Sequence, residues 1–137
     1  MTDNPRFHSI ALTALRIFAG LAYFVHGAQK LFGLFGGFGP NHGKVELMSR
    51  FGAAGVIEVV AGLCIALGLF TKPLAFIASG EMAVAYLLVH FGADKIWWWQ
   101  NGGELPLLYA FLWLFFSANG AGPYSADASM NRRRGPA

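Results

Sequence analysis

Few side chains in this sequence can do chemistry, and those few stand in or beside apolar stretches. His26 and Lys30 lie near the end of the first stretch, Glu58 inside the second, His90 at the end of the third and Glu104 before the fourth. Ionisable groups within such stretches are costly, so they usually turn toward the protein interior and mark a site. Histidine and lysine can donate hydrogen bonds to a carbonyl oxygen, and Glu58 or Glu104 can relay protons. Arg16 and Glu81 form a second set, expected to be a structural ion pair that fixes helix register. Trp98, in the run Trp97-Trp98-Trp99, offers an aromatic face that can cover a ring. Plainer readings exist for each. Lys30 can snorkel to the membrane interface, His26 and His90 can be satisfied polar groups near water, and Glu104 can cap a helix. Glu58 is the hardest to explain structurally, because it stands several residues inside its stretch.

The remaining chemistry is sparse. Cys64 is the only cysteine, so a disulfide framework is excluded. There is no Gly-rich dinucleotide fingerprint and no metal-ligand spacing, so no metal site is expected. A bis-histidine haem on His26 and His90 is disfavoured, since polar histidines near a span end are common without iron.

The elements that position these groups follow from composition. Hydrophobic residues make up 55% of the 137 and charged residues 12%, against roughly 25% charged in soluble domains. Disorder is excluded, because disordered chains are poor in apolar residues and rich in charge. The net charge of +3 does not make a nucleic-acid surface: six charged residues cover the sixty-nine positions from 51 to 119, and the arginines gather at the tail. The fold class expected is all-α, an integral membrane four-helix bundle forming a single domain over residues 1–137. Its spans lie at about 10–31, 52–70, 74–91 and 102–118, with a polar tail over 119–137. Thr71-Lys72-Pro73 breaks the second span from the third, as proline disfavours a helical conformation at the residue before it. Asn101-Gly102-Gly103-Glu104 reads like a capping box. A helix starting there is long enough but carries Pro106 inside it, and one starting at Glu104 avoids that and is shorter; both remain open. The first span is too long for a signal-peptide core and contains Arg16, so it is expected to be retained.

Helical periodicity places the groups on faces. Arg16, Gly20, Tyr23, Gly27 and Lys30 share one stripe of the first helix, with His26 beside it. Gly55, Glu58 and Gly62 share a face of the second, where glycines let another helix come close. In an uninterrupted third helix Glu81 and His90 are about 180° apart and cannot face one site. Counting from the span ends, Arg16 and Glu81 lie about 9 and 10 Å deep, which makes them partners. His26, Lys30, Glu58, His90 and Glu104 fall toward the opposite end as one polar cluster.

Four spans put both termini on one side. That side holds Arg6, Lys72, Arg132, Arg133 and Arg134, against Lys44, Arg50 and Lys95 on the other, so the positive-inside rule favours cytoplasmic termini. Trp97–Trp99 then fits an aromatic belt at the outer interface or a loop folded over the bundle. The glycine-rich faces permit a homo-oligomer.

Taken in order, Arg16-x3-Gly20-x5-His26-Gly27-x-Gln29-Lys30, Glu58-x3-Gly62-x5-Gly68 with Thr71, Ala78-Ser-Gly-Glu-Met-Ala-Val-Ala-Tyr86, Asn101-Gly-Gly-Glu104 and Gly122-Pro-Tyr-Ser-x-Asp127 resemble the DoxX family of small four-helix membrane proteins. The resemblance runs from about residue 15 to 127. It implies a broad function only: related members include subunits of a thiosulfate:quinone oxidoreductase and mycobacterial proteins assembled with soluble redox enzymes. It carries over no catalytic residues.

The leading expectation is a multi-pass subunit of a redox system in a bacterial inner (plasma) membrane, binding a quinone-like molecule in the polar cluster. Its partners are the lipid bilayer and a redox protein that supplies electrons, with no nucleic acid. Whether the chain is itself a quinone-linked oxidoreductase subunit stays open. The alternatives are a non-catalytic membrane scaffold that recruits soluble redox enzymes, and a small-solute transporter.

Overall fold

The structure, a computed structural model, describes residues 4–92 and 94–134. The end of the expected polar tail, 135–137, lies outside the described residues. The described residues form α1 (Pro5–Phe32), α2 (Arg50–Leu67), α3 (Thr71–Ala85), which continues into a π turn (Tyr86–His90), α4 (Trp98–Asn101), α5 (Glu104–Asn119) and α6 (Ala126–Arg134). No strand occurs among them beyond two isolated bridges, Phe38 with Gly43 and Gly92 with Lys95.

Local chemistry sets each boundary. Asn4 Oδ1 accepts the Arg6 and Phe7 N–H groups, and Pro5 occupies the first turn, where no N–H is needed. The helix therefore begins five residues before position 10. It ends at Gly33, whose φ of 66° is the left-handed cap that glycine adopts freely. Ser49 caps α2 by accepting the Gly52 N–H at 3.1 Å. α3 starts at Thr71, before the proline, because a distant carboxylate supplies its cap: Asp127 Oδ1 and Oδ2 accept the N–H groups of Phe70 and Thr71 at 2.8 and 2.9 Å. α5 begins at Glu104, which places Pro106 in the first turn, where its missing N–H costs nothing. Asn101 does not cap it; its Oδ1 accepts the Gly103 N–H at 2.8 Å and holds the preceding turn.

Packing is tightest between α1 and α2. A Cβ on Gly20 would fall 2.7 Å from the Ala66 nitrogen, and one on Gly62 would fall 2.6 Å from the Phe24 nitrogen, so the two backbones meet along this face. α3 packs on α5, where Ser79 Oγ donates to the Ala110 carbonyl at 2.7 Å. A core of Tyr23, Ile65, Tyr109, Trp113 and Phe116 fills the space among these four helices, interleaved with Ala19, Ala61, Ala75, Ala78 and Ala110. Tyr109 and Trp113 stack at 5.7 Å, and Tyr23 tilts against Trp113 at 5.3 Å.

The exterior is apolar as well: Phe18, Phe76 and Phe111 are 74%, 67% and 68% exposed. Among the described residues three helices are long and apolar enough to cross a membrane, Pro5–Phe32, Arg50–Leu67 and Thr71–His90, of 28, 18 and 20 residues; Glu104–Asn119 is apolar and shorter. An apolar surface on helices of this length makes the chain a multi-pass membrane protein.

Candidate functional site

The glycine contact between α1 and α2 brings two charges together. A Cβ on Gly27 would lie 2.7 Å from the Gly55 carbonyl oxygen, and this approach sets Lys30 of α1 against Glu58 of α2. Lys30 Nζ stands 2.5 and 2.6 Å from the two Glu58 oxygens. Glu58 is 1% exposed and Lys30 12%, so the pair is shielded from solvent. Lys30 is held at this depth instead of snorkelling away. Its ammonium also lies 5.6 Å from the centre of the Phe38 ring, which the loop after α1 folds back over it. Phe38 in turn packs on Phe51 at 5.3 Å.

About two α-helical turns from Lys30, Tyr23 donates its hydroxyl hydrogen to Glu81 Oε2 at 2.7 Å. This bond ties α1 to α3 and turns Glu81 toward the Lys30–Glu58 pair. Further along α3 the Phe91 N–H bonds to the Tyr86 carbonyl at 2.9 Å, five residues back. Each residue of this π turn advances less than the 100° of an α-helix, so His90 swings round from the side opposite Glu81. The expectation that the two cannot share a site is thereby corrected. His90 Nδ1 donates to the Asn101 carbonyl at 3.1 Å, which leaves Nε2 as an acceptor.

These groups line one cavity of about 200 Å³. His26, Lys30, Glu58, Glu81 and His90 supply its polar side; Phe38, Phe51, Met82, Leu105, Pro106 and Tyr109 supply apolar wall. The His26 ring stands edge-on to Tyr109 at 6.2 Å.

Two expected site residues fall elsewhere. Glu104 is exposed at the start of α5, whose Leu105, Pro106 and Tyr109 face the cavity instead. Trp98 is 42% exposed on the short helix α4; Trp97 and Trp99 stack at 4.9 Å, and none of the three lines the cavity. The aromatic cover comes from Phe38 and Phe51. Sequence reading missed Tyr109 and the part Tyr23 plays; Tyr23 did lie on the same stripe as Lys30, which was the available signal.

Arg16 and Glu81 are not partners, and the pairing is corrected. The Arg16 guanidinium lies against Gly68 in the turn between α2 and α3, because the first turns of α1 run on past that turn, while Glu81 is ten residues, about 15 Å, into α3. The buried Arg16 guanidinium donates instead to the carbonyls of Ala121 and Tyr124, the latter at 3.0 Å. Together with Asp127, whose N–H bonds to the Gly68 carbonyl at 2.8 Å, it fastens the segment after α5 to the ends of the other helices. Among the described residues the one salt bridge is Lys30–Glu58.

The sequence profile of the DoxX family matches residues 11–91, which take in α1, α2, α3 and the π turn. The chain belongs to the DoxX family. An uncharacterized protein of Haemophilus influenzae is 36% identical over 133 residues, covering 93% of this chain and 96% of that relative. No solved structure matches the chain. The DoxX match holds His26, Lys30, Glu58, Glu81 and His90, so five polar groups of the cavity lie inside the family's own region, whereas the segment that Arg16 and Asp127 fasten reaches beyond it.

Proposed function

We propose that this DoxX protein crosses a bacterial inner membrane as a four-helix bundle with both termini cytoplasmic, and that its cavity binds a quinone-like head group on behalf of a redox partner. The cytoplasmic side then carries Arg6, Lys72, Arg132 and Arg133, in keeping with the positive-inside rule. α5, of 16 residues, spans about 24 Å and makes up the remainder with the tryptophan-rich segment before it.

The observation that carries the functional reading is the single cavity that joins the Lys30–Glu58 pair, His26, Glu81 and His90 to a flat apolar wall. At about 200 Å³ it is smaller than the roughly 300–1,000 Å³ of pockets for drug-sized ligands, a size that suits one ring and not a tetrapyrrole. A quinone would supply two carbonyl oxygens that take up electrons and protons. Lys30 and His26 are placed to donate to such oxygens, and His90 Nε2 to accept from a reduced hydroxyl. Glu58 and Glu81 can hold or release a proton beside them. Phe38 closes the site from the loop. Electrons for such a quinone come from a partner protein or a bound cofactor.

The test is equilibrium binding of a benzoquinone with a decyl tail to the purified protein in lipid nanodiscs. Saturable binding is expected, weakened by about tenfold or more in Glu58→Gln and in His90→Ala. A wild-type protein that does not bind the quinone, or variants that bind it unchanged, would leave the cavity a packing feature and favour the scaffold role.

A further inference from the structure

A second concavity opens on the lipid-facing side between α2 and α3. Its volume is about 330 Å³, larger than the polar cavity, and Ile77, Val84 and Leu88 form much of its wall. These three are 49%, 53% and 61% exposed. Gly80 lies in it, and a Cβ there would meet nothing within 4 Å. α2 packs far less extensively on α3 than on α1, so the seam between α2 and α3 is the loose one.

The groove and the polar cavity share Phe51, Ala54, Glu81, Ala85 and Val89. Glu81 is the polar group at their junction, with one carboxyl oxygen held by Tyr23. An apolar trough that leads from lipid to a carboxyl and then to a histidine- and lysine-lined cavity has the shape of a head-and-tail molecule. Arg50, at the start of α2, also lines the groove and can hold a lipid phosphate at the interface. A phospholipid seated there leaves the polar cavity unfilled, since a phosphate brought to the depth of Glu81, about 15 Å from the start of α3, would lose its hydration.

Resting on the quinone-head reading above, we propose that the ligand is an uncharged amphiphile dissolved in the bilayer that enters sideways between α2 and α3 and leaves its hydrocarbon tail along Gly80. The groove then decides which ligands bind by the length of their tail, and the cavity decides by the chemistry of their head.

Binding of two probes in nanodiscs separates these roles: a benzoquinone with a decyl tail, and the same ring without the tail. Gly80→Phe and, independently, Ile77→Trp fill the groove from exposed positions. Both are expected to weaken the tailed probe about tenfold and to leave the tailless probe unchanged. Val60→Phe, an aromatic enlargement at a lipid-facing position of α2 outside the groove, is expected to change neither. Tailed-probe affinity that survives both plugs overturns the groove, as does equal weakening of both probes. If Glu58→Gln still weakens binding in that case, the head-group reading stands and the tail assignment alone falls. If the wild-type protein binds neither probe, both fall together.

Discussion

The hydroxyl of Tyr23 and the carboxyl of Glu81, 58 positions apart in the chain, are joined by a hydrogen bond of 2.7 Å that links α1 to α3. Tyr23 is fully buried, so nothing else would satisfy its hydroxyl. Tyr23→Phe removes the donor and leaves the Glu81 carboxyl without its partner, a loss of about 1–3 kcal/mol. Thermal unfolding in detergent should show the drop, and Tyr23→Phe combined with Glu81→Leu should recover much of it. A Tyr23→Phe protein as stable as wild type would mean the bond contributes nothing to holding the helices.

The Lys30–Glu58 pair makes a sharper claim about stability. Glu58 is 1% exposed, and Lys30 Nζ reaches both of its oxygens. Lys30→Met strands a buried carboxylate, which in comparable cases costs about 3–5 kcal/mol. Adding Glu58→Gln removes the stranded charge and should restore most of the loss. The double variant is the informative one: if it is no more stable than Lys30→Met, the defect lies in packing and the pair is not the cause. Chemical denaturation in mixed micelles reads the difference directly.

Part of this arrangement could be read before any coordinates, and the rest failed for identifiable reasons. Apolar runs and helical periodicity carry the long helices and the shared face of Gly55, Glu58 and Gly62, because both are properties of sequence spacing. Lys30 and Glu58 fell in one cluster by the same arithmetic. Depth counted from the span ends misplaced Arg16, since Asn4 and Pro5 start α1 earlier than the apolar run does. The position of His90 was invisible, because a π turn leaves no mark in a 3.6-residue period. Asp127 could be seen as part of a closing motif, but its use as the cap of α3 depends on a contact across 56 positions that no local pattern reports.

The π turn can be tested by removing the residue that makes it. Leu87 is 58% exposed and lines neither the cavity nor the groove. Its deletion should let the segment rewind as regular α-helix and keep His90 on the cavity side, because eight residues at 100° end at nearly the same angle from Glu81 as nine residues that include a π turn. Helical circular dichroism should then be unchanged, and decyl-benzoquinone binding should stay near that of wild type. Binding that falls to the level of His90→Ala would show that the wide turn itself, and not the helix face it preserves, positions the imidazole.

At the other end of the molecule, Asp127 holds α6 in place by accepting two N–H groups from the start of α3 and donating its own to Gly68. Loss of a capping carboxylate costs about 0.5–2 kcal/mol. Because the cap lies between two separate segments, that loss should appear as local opening and not as global unfolding. Asp127→Ala should therefore speed tryptic cleavage at the exposed Arg132 and Arg133 severalfold, with little change in the overall unfolding midpoint. Asp127→Asn keeps one carbonyl acceptor and should fall between the two. Equal cleavage of all three proteins in detergent, followed by intact mass, would mean that Arg16, through the carbonyls of Ala121 and Tyr124, is sufficient to hold the segment. A lower unfolding midpoint in Asp127→Ala would instead make the closing segment part of the global fold.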